Sequence, residues 1–206
     1  MEQRSDAWFA ARLGKVTASK VADVMAKTKS GWGAGRANYM AQLISERLTG
    51  KPADSFTNAA MQWGTEKEPD ARAAYEFFFD AEVVEVGFVD HPTLPNSGAS
   101  PDGMVGDDGL IEIKAPNTAT HIDTLLKGKV PPKYVPQMQW QMACTERQWC
   151  DFVSYDPRLP ESMQLWVRRV ERDDKAIEEM ETHVKAFLAE VDSTVVKLLT
   201  MYEGEE

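Results

Sequence analysis

Apolar residues recur at helical spacing over the first eighty positions and again over the last thirty. Between them, short runs alternate apolar with polar residues. The pattern predicts helices at 6–13, stopped at Gly14, at 18–26, at 36–49, ended by Gly50, and at 58–79. Ser5 or Asp6 can cap the first of these, and Thr17 or Ser19 the second. Gly64 and Pro69 fall inside the fourth, where a missing amide and a ring clash should interrupt and kink it. The stretch 27–35, with Gly31, Gly33 and Gly35, reads as a loop. Strands follow at 82–90, 96–101 and 110–115, with Gly106-Asp107-Asp108-Gly109 as the turn before the last. Helices at 119–126 and 133–145, strands at 148–155 and 165–170, and a long acidic helix at 173–202 complete the order. The expected fold class is therefore α/β (α+β), one mixed central β-sheet flanked by helices, with its active centre on the sheet edge.

At 206 residues and 43% hydrophobic, the chain suffices for one domain with a sizeable core. The expectation is a single domain over 1–206: N-terminal helices at 1–80, a sheet core at 81–172 and a C-terminal helix at 173–206. No run of eighteen apolar residues occurs and the opening residues lack an apolar leader pattern, so no membrane association and a cytoplasmic location are expected. Cys144 and Cys150 lack a Cys-x-x-Cys spacing and sit among aromatic residues, as buried reduced thiols do. His91, His121 and His183 are scattered, which argues against zinc. The three glycines of 27–35 are not followed by Gly-Lys-Ser/Thr, and Gly-x-Ser-x-Gly is missing, so neither a phosphate loop nor covalent catalysis is supported.

A net charge of −10 at first argues against a nucleic-acid partner. Its distribution weakens the objection: residues 1–60 carry +4 and 114–160 carry +2, whereas 61–113 carry −10 and 161–206 carry −6. Bound cations would offset the first acidic stretch, the second can face away from DNA, and a basic surface remains to track a phosphate backbone.

The chemistry is concentrated in two strings, Ser100-Pro101-Asp102-Gly103 and Glu112-Ile113-Lys114. Pro-Asp, a gap, then Glu-x-Lys is the charge order of a metal-dependent phosphodiester hydrolase, the PD-(D/E)xK pattern. Side chains alternate along a strand, so Glu112 and Lys114 share one face while Ile113 points into the core. Two carboxylates and an ammonium then converge, where a hard dication suits the oxygens and Lys114 can orient or deprotonate a water. Glu68, on the helix before the sheet, can add a third carboxylate. Gln137 and Gln141, four apart, share one helical face with Tyr134 nearby. The bland alternative is an ordinary turn followed by a solvated strand face.

The run Asp6-Ala7-Trp8, Arg12-Leu13-Gly14 and Thr17-Ala18-Ser19 resembles the N-terminal signature of the phage lambda exonuclease family, the YqaJ-type viral recombinase nucleases. Trp63-Gly64 with Glu68, the Pro-Asp and Glu-x-Lys strings, Tyr134 with Gln137, and Tyr155-Asp156-Pro157-Arg158 follow in the family's order, so the resemblance spans about residues 6–175. It implies a restriction-endonuclease-like core that digests one strand of double-stranded DNA ends from a 5′-phosphate, leaving a 3′ overhang for a single-strand annealing protein. By the family pattern, Asp102, Glu112 and the Ile113 carbonyl bind Mg²⁺, two ions per site, with Mn²⁺ an expected substitute. Glu68 supports the site, Lys114 acts on the attacking water, and Gln137 belongs to both the catalytic centre and the phosphate pocket. Arg12, Ser19, Ser100 and Thr17 match the rest of that pocket, while Met61, Lys29 and Tyr134 match DNA contacts, Met61 as a wedge. The resemblance also implies a homotrimer and a phage or prophage origin. Rival readings are a sequence-specific endonuclease of the same core and a catalytically silent DNA-binding protein.

Overall fold

The computed structural model describes residues 2–29, 31–53 and 58–202. In chain order the elements are α1 (Asp6–Arg12), β1 (Val16–Thr17), a 3₁₀ turn at Ala18–Lys20, α2 (Val21–Met25), β2 (Lys27–Thr28), β3 (Gly31–Trp32), α3 (Ala34–Thr49) and α4 (Ala59–Phe79). Then come β4 (Val83–Val84), β5 (Val89–Asp90), β6 (Ser97–Ala99), β7 (Gly103–Val105), β8 (Gly109–Lys114), α5 (Thr118–Lys127), α6 (Val135–Thr145), β9 (Trp149–Tyr155), β10 (Leu165–Glu171) and α7 (Asp174–Tyr202).

Five strands form a mixed sheet in the order β10-β9-β8-β7-β4, in which only β8 and β9 run parallel. A three-stranded sheet, β1-β6-β5, and the β2-β3 hairpin stand apart from it. The class is the expected mixed α/β, but the single sheet of the sequence reading is divided. The predicted strand at 82–90 is two short strands: β4 pairs with β7, and β5 crosses to β6. Likewise the loop at 27–35 contains β2 and β3, pairing Lys27 with Trp32.

β8 is the middle strand of its sheet, not an edge, and its alternation decides the site. Ile111 and Ile113 face α4, packing with Ala71, Tyr75, Val83, Val105 and Val153. Leu110 faces α6, packing with Met138, Met142, Cys150 and Phe152. Glu112 and Lys114 share the parity of Leu110, so they face α6 as well. A third cluster, including Val21, Val24, Tyr39, Leu43, Trp140, Met180, Val184 and Phe187, joins α2, α3, α6 and α7.

Local chemistry accounts for most element ends. Ser5 caps α1 by accepting from the Trp8 amide, as predicted, and Asn58 caps α4 by accepting from Met61. Thr17 and Ser19 do not cap a helix: a 3₁₀ turn intervenes, and no side-chain cap bond forms. The expected break in α4 is also missing, because the helix runs through Gly64 and Pro69 for 21 residues. Burial of Ala71 and Tyr75 on the sheet favours the unbroken helix over the propensity cost of Pro69.

Candidate active site

Asp102 sits at the joint where the chain leaves β6 in one sheet and enters β7 in the other. The next residue, Gly103, has no room for a Cβ against Val83, so the chain can make this crossing tightly. The β7-β8 hairpin then returns Ile113 to Asp102, whose Oδ2 accepts from the Ile113 amide at 2.6 Å. One side chain therefore bridges the joint and the middle strand.

Glu112 is fully buried, and both its oxygens are engaged. Oε1 accepts from Gln137 Nε2 at 2.7 Å and is ion-paired with Lys114 Nζ, and Oε2 accepts from Gln141 Nε2 at 2.6 Å. A buried carboxylate needs such donors, since each unmet one would carry a desolvation cost. Lys114 lies 5.2 Å from the Tyr134 ring centroid, and Tyr134 in turn stacks on Phe152. Burial opposes the Lys114 ammonium, but Glu112 and Asp102 beside it hold its proton more firmly than an ordinary lysine does. Asp102 is pushed well above the usual carboxylate range by burial first and by the neighbouring Glu112 charge second. Two carboxylates this close compete for one cation.

Glu68, on α4, lines the same cleft of about 570 Å³ as Asp102, Ile113, Lys114, Met61 and Tyr134. Its own oxygens are committed to arginines: Arg4 at 2.8 Å and Arg72 at 3.1 Å. Arg72 also reaches Glu85. Among the described residues no group of three or more His, Cys, Asp and Glu side chains is arranged as a metal cage. The available donors are the Asp102–Glu112 pair and backbone carbonyl oxygen. All are hard oxygen ligands, and the chemistry of that donor set fits a hard dication such as Mg²⁺.

Four of the five residues expected at a terminal phosphate fall into two groups outside the cleft lining, Arg12 with Ser100 and Thr17 with Ser19. Arg12 Nη1 lies 3.3 Å from Ser100 Oγ, which also accepts from the Trp8 indole at 2.9 Å, and the guanidinium stacks 3.9 Å over the Trp8 ring. Burial lowers the proton affinity of Arg12. Thr17 and Ser19 hydroxyls are 3.5 Å apart. β1 pairs with β6 through Thr17 and Gly98, two residues before Ser100, so the strand pairing brings the two groups toward each other. Gln137 stands apart from both on Glu112, and Lys29 is exposed at the β2-β3 hairpin tip, away from the cleft lining.

Three participants escaped the sequence reading in this role: Gln141 as a second donor to Glu112, and Arg4 and Arg72 on Glu68. The Gln137–Gln141 spacing carried the first signal, since i,i+4 residues present two amides to one point. Asp156 and Arg158 act as a brace. Burial opposes ionisation of Asp156, but Arg158 holds it below the usual range; Arg158 also donates to the Pro116 carbonyl at 3.1 Å and lies 4.5 Å over Trp63.

A mixed sheet whose middle strand carries Glu-x-Lys, with a Pro-Asp joint at its side and helices on both faces, defines a restriction-endonuclease-like nuclease fold. Residues 7–148 match the YqaJ-like viral recombinase domain, and the chain belongs to that family. It is 58% identical to LHK-Exo, an alkaline exonuclease from Laribacter hongkongensis, with a TM-score of 0.91 over 98% of this chain and 100% of that one. LHK-Exo in complex with dAMP gives the same coverage and a TM-score of 0.92. A phage-related exonuclease from Haemophilus somnus 129PT is 15% identical, with a TM-score of 0.71 over 89% of this chain and 96% of that one, and shares the fold. No curated protein matches the chain. No helix among the described residues is long and apolar enough to cross a membrane.

Proposed function

We propose that the chain is a Mg²⁺-dependent exonuclease that digests one strand of linear duplex DNA in the 5′-to-3′ direction from a 5′-phosphorylated end. The observation that carries this reading is the meeting of Asp102 and Lys114 at one cleft, with the buried Glu112 carboxylate ion-paired to Lys114 behind its lining. The 58% identity to an alkaline exonuclease supports it, and that enzyme's complex with dAMP suits release of mononucleotides.

Asp102, Glu112 and the Ile113 carbonyl would hold Mg²⁺, with Glu68 adding negative charge nearby. When bound, the cation offsets charge as phosphorus gains a fifth oxygen and makes the attacking water a stronger acid. Lys114 orients that water and keeps positive charge against the phosphate. Gln137 and Gln141 fix Glu112 so that its geometry is set before substrate arrives. Arg12 offers a planar fork to a terminal phosphate, assisted by the Ser100, Thr17 and Ser19 hydroxyls. Met61 at the cleft suits parting of terminal base pairs, Tyr134 suits stacking, and Lys29 follows the duplex outside. A homotrimeric ring would retain DNA without a nucleotide-driven motor, and the product overhang suits a single-strand annealing partner. Phage or prophage origin and work inside the bacterial cytoplasm belong to the same reading.

The test is cleavage of one DNA sequence in linear and covalently closed form with Mg²⁺, by wild type and by Lys114→Met. Digestion of the linear form alone, lost by several orders of magnitude in the variant, is the expected outcome. Equal cutting of closed circles favours an endonuclease, and undiminished cleavage by folded Lys114→Met removes Lys114 from the chemistry.

A further inference from the structure

Arg4 occupies an unusual position. Its backbone is left-handed at φ 68°, a conformation that costs a non-glycine residue energy and persists only where neighbours enforce it. The enforcement comes from both sides. Gln3 Nε2 donates to the carbonyls of Val86 and Pro101 at 2.9 and 2.8 Å, fixing the segment on the residue that precedes Asp102. Ser5 returns to Glu2 through its hydroxyl at 2.7 Å and caps α1. Between these anchors the Arg4 side chain enters the cleft that holds Asp102, Lys114 and Met61.

Its resting partner is Glu68, but that partnership is redundant. Glu68 Oε1 is held by Arg72, whose side chain is 11% exposed, while Arg4, on Oε2, is 48% exposed. Arg72, which Glu68 shares with Glu85, stays on Glu68 when Arg4 leaves, and an exposed ion pair offers little to retain Arg4. A guanidinium on a fixed stem, facing a cleft and lightly held, is suited to exchange a carboxylate for a phosphate.

Resting on the nuclease reading above, we infer that Arg4 is a substrate-binding residue that grips a backbone phosphate of DNA in the cleft, with Glu68 as its partner when the cleft is empty. Arg4 thus sets affinity for the nucleic acid and takes no part in the bond-breaking step.

The test is binding of a 5′-phosphorylated duplex in Ca²⁺ across a series of salt concentrations, for wild type, Arg4→Ala and Arg4→Lys. One phosphate contact fewer should reduce the slope of log K against log salt by about 0.9 in Arg4→Ala, with affinity at low salt weakened about tenfold. Arg4→Lys should recover the slope but only part of the affinity, because a point charge lacks the fork. An unchanged slope in Arg4→Ala, with wild type binding normally, overturns the assignment of Arg4 alone. Wild type that fails to bind duplex ends overturns the nuclease reading with it.

Discussion

Replacing Gln141 by Met removes one of the three side-chain donors to Glu112 while nearly conserving volume. Glu112 is wholly buried and Gln141 is wholly buried beside it, so water cannot supply the lost bond. A hydrogen bond to a charged group contributes about 1.5–3 kcal/mol, and in this enclosed setting the full range applies. For a chain of this size that corresponds to a fall in Tm of about 3–12 °C. Gln137 makes an equally short bond to the same carboxylate but is only half-buried, so solvent can replace it and Gln137→Met should cost about half as much. Urea unfolding of the three proteins in EDTA measures both numbers, with an unchanged m-value expected. A loss below about 0.5 kcal/mol for Gln141→Met, or a larger loss for Gln137→Met, would refute the reasoning from burial.

Two further outcomes follow from the site. In metal-free protein the raised Asp102 binds its proton more tightly folded than unfolded, so stability present at low pH should decline as pH rises from the ordinary carboxylate value of 3.8 through the raised one, and Mg²⁺ should abolish the decline; unfolding curves in EDTA and in Mg²⁺ that respond alike to pH would contradict cation binding at Asp102. Arg12→Ala should erase a preference for 5′-phosphate over 5′-hydroxyl ends worth about one to two orders of magnitude in single-turnover rate, since a charge-assisted contact contributes about 1.5–3 kcal/mol; a preference that survives assigns the phosphate to other groups.

The Pro-Asp and Glu-x-Lys strings were legible because local alternation and a tight turn position them, and such signals lie within a few residues. The alternation at 110–114 also foretold that Ile113 and Glu112 would separate to opposite faces of β8. What escaped depended on distant partners. β7 has three residues, too few to show a period, and its existence rests on pairing with β8 and β4. Pro69 signals a helix break locally, yet the sheet contacts of α4 outweigh it. The place of Arg4 in the cleft depends on Gln3 meeting Pro101, 98 positions away, and no local pattern encodes that meeting.

The middle position of β8 has a consequence for the order in which the molecule comes apart. Strand β8 has hydrogen-bonded neighbours on both sides and helices on both faces, so its amides belong to the last cooperative unit to open. The side chains proposed to grip DNA hang from shorter pieces: Arg4 on the turn before α1, Arg12 on a helix of seven residues and Lys29 just after the two-residue strand β2. Fraying therefore reaches discrimination before it reaches reactivity. A warmed molecule of this design grows less selective about what it holds while the carboxylates of its centre are still in register.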